Sequence, residues 1–223
     1  MDARIRAVPI AVIALLGLWV PACGGASQAT PGADSTAAAP SQTQARGSGT
    51  LGTLHATVDG VERTWYVVSG PIQGREQATG GWLMVGGRQA IAISGFDVED
   101  PPFESFEWDA QGMLTGYGSY TGSVISVMVE VDSTSPSQTI RFPAEPGKFH
   151  AMTWLPRATT SDLSLMYLMA EGTIGVTRAA ISAEGAILEG TFAGTFRSID
   201  ASSSISITGG RFETRLLGPL AQP

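Results

Sequence analysis

The run Val124-Ile125-Ser126-Val127-Met128-Val129-Glu130-Val131 decides the fold. Ile125, Val127, Val129 and Val131 share one parity, and Ser126, Met128 and Glu130 share the other. Successive side chains of a strand point to opposite faces, so this period of two predicts a strand with one face on a core and the other toward water. Toward the N-terminus, Leu54, Ala56 and Val58 alternate with His55 and Thr57, Asp59-Gly60 is a two-residue hairpin signal, and Val61, Arg63, Trp65 and Val67 continue on the return strand. Residues 82–85, Gly86-Gly87 and residues 88–94 read as a second hairpin. Toward the C-terminus, residues 139–142 and 149–154 read as strands around a turn at 143–147, and residues 173–182 as another ahead of a Glu184-Gly185 turn. Leu188, Phe192 and Phe196 share one face of a long strand with Gly190 and Gly194. Ile205 and Ile207 lie on one parity, and Phe212 and Leu216 on the other. A β-bulge at Gly209-Gly210 would turn both sets to the same core.

One segment reads two ways. Ser161-Asp162 before residues 163–170, with Gly172 after, fits a short capped helix, but the alternation of Leu163, Leu165, Tyr167 and Met169 favours a strand. About ten short strands with frequent turns predict an all-β fold, an antiparallel β-sandwich or barrel-like domain spanning residues 51–223. That domain carries 10 basic and 18 acidic residues, a net charge of −8, which disfavours nucleic acid and anionic surfaces as partners.

The N-terminal fifty residues are of a different kind. Arg4 and Arg6 precede an uncharged, mostly apolar run at 7–20, shorter than the roughly 20 residues a membrane-spanning helix needs. This is the pattern of an export signal over residues 1–22. Residues 24–50 contain no Val, Ile, Leu, Met or aromatic side chain, and a stretch with so little to bury reads as a flexible tether with a reach of about 30 Å. Cys23, at the junction, is the only cysteine, so no intramolecular disulfide forms.

Val20-Pro21-Ala22-Cys23 resembles the lipobox of bacterial lipoproteins, with Pro21 departing from its usual pattern. The resemblance implies cleavage before Cys23, acylation of that residue, and an anchor far stronger than a single acyl chain provides. Gly24 in second place implies an outer-membrane destination. Two further passages resemble a group of uncharacterised bacterial lipoproteins with secreted β-sandwich domains. One is Gly52-Thr53-Leu54-His55-Ala56-Thr57-Val58-Asp59-Gly60 with Trp65 after it. The other is Gly190-Thr191-Phe192 followed by residues 205–212. This likeness implies fold and compartment, and it carries no catalytic residues.

Two chemistries suggest themselves in the middle of the chain. Residues 97–109 hold six acids, of which Asp97, Glu99, Asp100 and Asp109 are candidate ligands for Ca²⁺, a cation wanting six to eight oxygens. Their spacing is not that of an EF-hand. Phe103, Phe106 and Trp108, with Tyr117 and Tyr120, are candidates for an aromatic platform that stacks on a glycan or docks an envelope protein. The plainer expectation is that they pack in a core. Catalytic signals are sparse. No His pair has metal-ligand spacing, and Ser119 and Ser123 sit in no nucleophile elbow. His55 lies on a polar strand face, and Lys148 beside a turn glycine reads as exposed. His150 shares the parity of Met152 and Trp154 and is expected to be partly buried. The sequence therefore points to a non-catalytic binding or structural module. The alternative is a hydrolase using His150 or a carboxylate pair from residues 97–109, set in a concave pocket.

Overall fold

In the computed structural model the chain divides into two units, Met1–Gln44 and Ala45–Pro223. The described residues are 49–72, 75–108, 114–132, 135, 137–158, 165–182 and 185–216, all in the second unit. They form β1 (Gly49–Val58), β2 (Val61–Ile72), β3 (Arg75–Ala78), β4 (Gly80–Val85), β5 (Arg88–Phe96), β6 (Glu107–Trp108), β7 (Leu114–Gly116), β8 (Val124–Glu130), β9 (Gln138–Phe142), β10 (Ala151–Leu155), β11 (Tyr167–Ser182), β12 (Gly185–Ser198) and β13 (Ser204–Leu216), with one 3-10 turn at Phe103–Ser105.

The expected all-β architecture is what is observed. One antiparallel sheet of eleven strands runs β3-β2-β1-β13-β12-β11-β10-β8-β5-β4, with β9 alongside β11. Tyr66 of β2 pairs with Phe96 of β5, so the eight strands from β2 round to β5 close on themselves. Beyond that pairing β2 and β5 diverge, and Thr79 ties the fork. Its N–H donates to Val68 O (2.8 Å), its carbonyl accepts from Ser94 N–H (2.7 Å), and its Oγ1 accepts from Val68 N–H (3.0 Å). β3 then follows β2 and β4 follows β5. A barrel of this strand number has an interior just wide enough to be filled by side chains. Here Leu54, Trp65, Ile91, Ile125, Phe196 and Ile207 fill it and are almost wholly buried.

Local chemistry explains the turns. Asp59 (φ 45) with Gly60 (φ 84), and Gly86 (φ 57) with Gly87 (φ 80), give both expected hairpins the two left-handed residues that a tight two-residue turn needs. The bulge on β13 is also present. Between the pairs Phe192–Gly210 and Gly194–Ile207, one residue of β12 (Ala193) faces two of β13 (Thr208 and Gly209), with Gly209 at φ 61, and Ile207, Phe212 and Leu216 all face the core. Of the ambiguous segment, residues 161–164 lie outside the described residues. The strand begins only at Tyr167, and Leu165 is exposed.

A second, smaller core lies outside the barrel. Val68, Phe96, Val124 and Leu155 have the outward parity of their strands yet are buried, because the excursion between β5 and β8 folds back over them.

Candidate functional site: a polar pocket at the barrel mouth

That excursion carries the aromatic residues singled out from the sequence. Phe103, Phe106 and Tyr120 are 5 to 7 % exposed, and Trp108 and Tyr117 are half-buried against them. Phe106 stacks on Phe96 at 5.2 Å, Tyr120 meets Phe96 edge-on at 5.3 Å, and Trp108 lies parallel to Phe103 at 6.4 Å. These are the offset and T-shaped contacts of a packed aromatic cluster. Three of the five rings thus have no open face for a sugar. Burial pushes the Tyr117 hydroxyl up to about 12. Burial, with the Asp97 hydrogen bond, pushes Tyr120 up further still.

Among the described residues, the acids of this excursion do not gather. Asp97 holds the cluster in place. Its Oδ1 accepts the Tyr120 hydroxyl and its Oδ2 accepts the Ser123 N–H at 2.8 Å. Glu99 and Asp100 are exposed. Among the described residues, no three His, Cys, Asp or Glu side chains come together as a metal-holding group, and Asp109 lies outside those residues. Ser123 is buried, its Oγ accepting the Trp65 indole N–H at 2.9 Å, while exposed Ser119 donates its backbone N–H to Ser105 Oγ. His55 is half-buried at 2.9 Å from Thr64 Oγ1. Cys23, the candidate signal and tether residues 24–48 precede the described residues, whereas Gly49 and Thr50, the last two residues of the candidate tether, are already strand and pair with Ser69 and Val68 of β2.

His150 is placed differently. Along β4, β5, β8 and β9 the inward parity of Trp82, Ile91, Val129 and Ile140 continues to Met84, Gln89, Val131 and Gln138 at the end of the barrel opposite the Asp59-Gly60 hairpin. His150 continues the row of Met152 in the same way. With Arg88, Glu130 and Lys148 on the lip, these residues line an open pocket of about 330 Å³. This is the lower end of the size range of small-ligand sites, and barrel mouths are a common place for such sites.

Charge is organised tightly at that lip. Glu130, whose side chain is 10 % exposed, lies 3.0 Å from Arg88 Nη1 and 3.5 Å from Lys148 Nζ. Arg88 Nη1 donates to both Glu130 oxygens and to Gly147 O, and Phe149 N–H donates to Glu130 Oε2 at 3.3 Å. Burial pushes the Glu130 carboxyl up. The Arg88 hydrogen bond, the Phe149 N–H and the two positive charges together outweigh burial and hold it below its ordinary value. The Glu130 backbone N–H donates to His150 Nδ1 at 3.2 Å, which leaves the ring proton of the neutral imidazole on Nε2. Burial keeps His150 below its usual range, against the pull of the Glu130 charge. The Glu130 carbonyl accepts from Gln138 Nε2 at 2.6 Å.

Of this site the sequence marked only His150. Arg88, Glu130, Lys148 and Gln138 come from a hairpin, the end of a strand, a turn and a second strand. The one local sign of them was a carboxylate closing the most regular apolar alternation in the chain. No family model matches this chain, and neither a curated protein nor a solved structure matches it.

Proposed function

We propose that this chain is an exported lipoprotein, anchored through Cys23 in the bacterial envelope and most simply in its outer membrane, whose barrel is a non-catalytic binding module. The anchor rests on the basic start, the apolar run at 7–20, the Val20-Pro21-Ala22-Cys23 sequence and the apolar-free stretch after it. One observation carries the binding role. The pocket at the barrel mouth has ionisable groups that engage one another, with Glu130 held by Arg88 and Lys148 and His150 Nδ1 already accepting a backbone N–H. A pocket so arranged offers hydrogen bonds and charge to a ligand. Among the described residues it does not present a nucleophile beside a free base. The hydrolase reading is favoured by a single fact, the presence of His150 in a concave site. It requires a nucleophile within about 3 Å of that ring.

The anchor is tested by fractionating cells that make the Cys23→Ser variant. The protein is expected to move from the membrane to the soluble fraction and to lose incorporation of labelled fatty acid. Membrane retention of the variant equal to that of the parent would remove the assignment.

A further inference from the structure

The lip of the mouth pocket carries two of the ten basic residues of this acidic domain. Lys148 is the only lysine in the chain, and it stands with Arg88 over one carboxylate. Two cations face the single charge of Glu130 within the trio, and the Asp132 carboxylate lines the same pocket. Both cationic side chains remain about half exposed, at 47 % and 45 %. The Arg88 hydrogen bonds to Glu130 and Gly147 all leave from Nη1. The contacts with Glu130 and Gly147 thus use one nitrogen of the guanidinium. A planar guanidinium recognises a planar carboxylate with two parallel hydrogen bonds.

Apart from Met84, Gly87 and Val131, the remaining lining is polar and uncharged or acidic. His150 is a donor through Nε2–H, because its Nδ1 is used by the Glu130 N–H. Gln138 spends its amide N–H on the Glu130 carbonyl and turns its Oε1 into an available acceptor type. Gln89 and Asp132 also line the pocket. Acceptors of this kind suit hydroxyl groups, whereas the cations suit an anion. A volume of about 330 Å³ suits a ligand the size of one sugar ring.

We propose that the mouth pocket binds an acidic sugar residue, its carboxylate held by Arg88 and Lys148 and its hydroxyls by Gln89, Gln138, Asp132 and the His150 N–H. The inference rests on the reading of this domain as a binding module and names the ligand class of the same pocket. It also moves glycan recognition away from the buried aromatic cluster to the opposite end of the barrel.

The test is a titration of the full chain, in detergent, with sodium D-glucuronate, D-glucose and inorganic phosphate at matched ionic strength, followed by the backbone amide resonances of Arg88, Gln89, Glu130 and Lys148. Saturable shifts are expected with glucuronate and none with glucose. Lys148→Gln, which leaves the Arg88–Glu130 pair intact, is expected to weaken glucuronate tenfold or more, and Arg88→Gln with Lys148→Gln to abolish it. Dispersed spectra report that each variant is folded. Glucose shifting the same amides as strongly would overturn the carboxylate assignment and leave the binding module standing. Phosphate binding as tightly as glucuronate would overturn it in favour of a general anion site. Silence from all three probes would overturn the ligand class and leave the binding module to be judged by other partners.

Discussion

Glu130 shows how one residue can belong to a regular strand pattern and to a site at once. Its place on the polar parity of β8 is visible in the alternation, but its partners are not, because Arg88 lies 42 positions before it and Lys148 18 after. His150 depends on it in turn. An imidazolium cannot accept the Glu130 N–H, and burial already disfavours the charged ring, while the Glu130 and Glu145 carboxylates favour it and the Lys148 and Arg88 charges oppose it. The net effect is a folded-state pKa below the ordinary 6.5. Protons then bind the unfolded chain more readily, so the stability contributed by neutral His150 is complete above that value and is lost as pH falls through the lower folded value. Denaturant midpoints measured from pH 8 down to about pH 5 should therefore decline, and His150→Gln should flatten that decline. An unchanged pH slope in the variant would show that His150 is not the group responsible.

Strands β12 and β13 hold one another by an exchange of rings over glycines. Phe192 pairs with Gly210 and Phe212 pairs with Gly190, and the two rings stack at 6.3 Å. A Cβ at Gly190 would come within 2.3 Å of Gly175 O and 2.5 Å of the Phe212 ring, so the position has no room for one. Gly190→Ala should cost about 1–3 kcal/mol, as overpacking does in a well-filled core. Equilibrium urea unfolding measures it, and a neutral result would mean that the strands separate readily. The face shared by Leu188, Phe192 and Phe196, and the parity switch at Gly209, were both legible, since a bulge is the cheapest way to keep two parities on one core. The start of β11 was less so. Leu163 to Met169 alternate as a strand would, yet Leu165 is exposed and the strand begins at Tyr167, because alternation marks a candidate face and only a neighbouring strand makes it one.

The two cores divide the molecule into an inside that is filled and an outer wall that is half covered. Phe106 sits where the excursion meets that wall, in contact with Phe96, Phe103, Trp108 and both Tyr117 and Tyr120. Phe106→Ala should lower unfolding free energy by about 3–5 kcal/mol, the usual loss for a buried ring. A loss below about 1 kcal/mol in chemical denaturation would mean that the excursion is not part of the cooperative fold. The sign of this second core was present in the apolar doublets Val67-Val68, Val124-Ile125 and Trp154-Leu155, each of which buries both faces of its strand. By itself, the sequence determined the all-β class, the hairpin turns, the bulge and the inward rows, because each depends on residues adjacent in the chain and on a period of two. Tertiary structure alone decided the closure of β2 on β5, the burial of the aromatic excursion, and the meeting of Arg88, Glu130, Lys148 and His150 at the barrel mouth. These contacts join segments tens of residues apart, and no local pattern encodes which distant segment a face will meet.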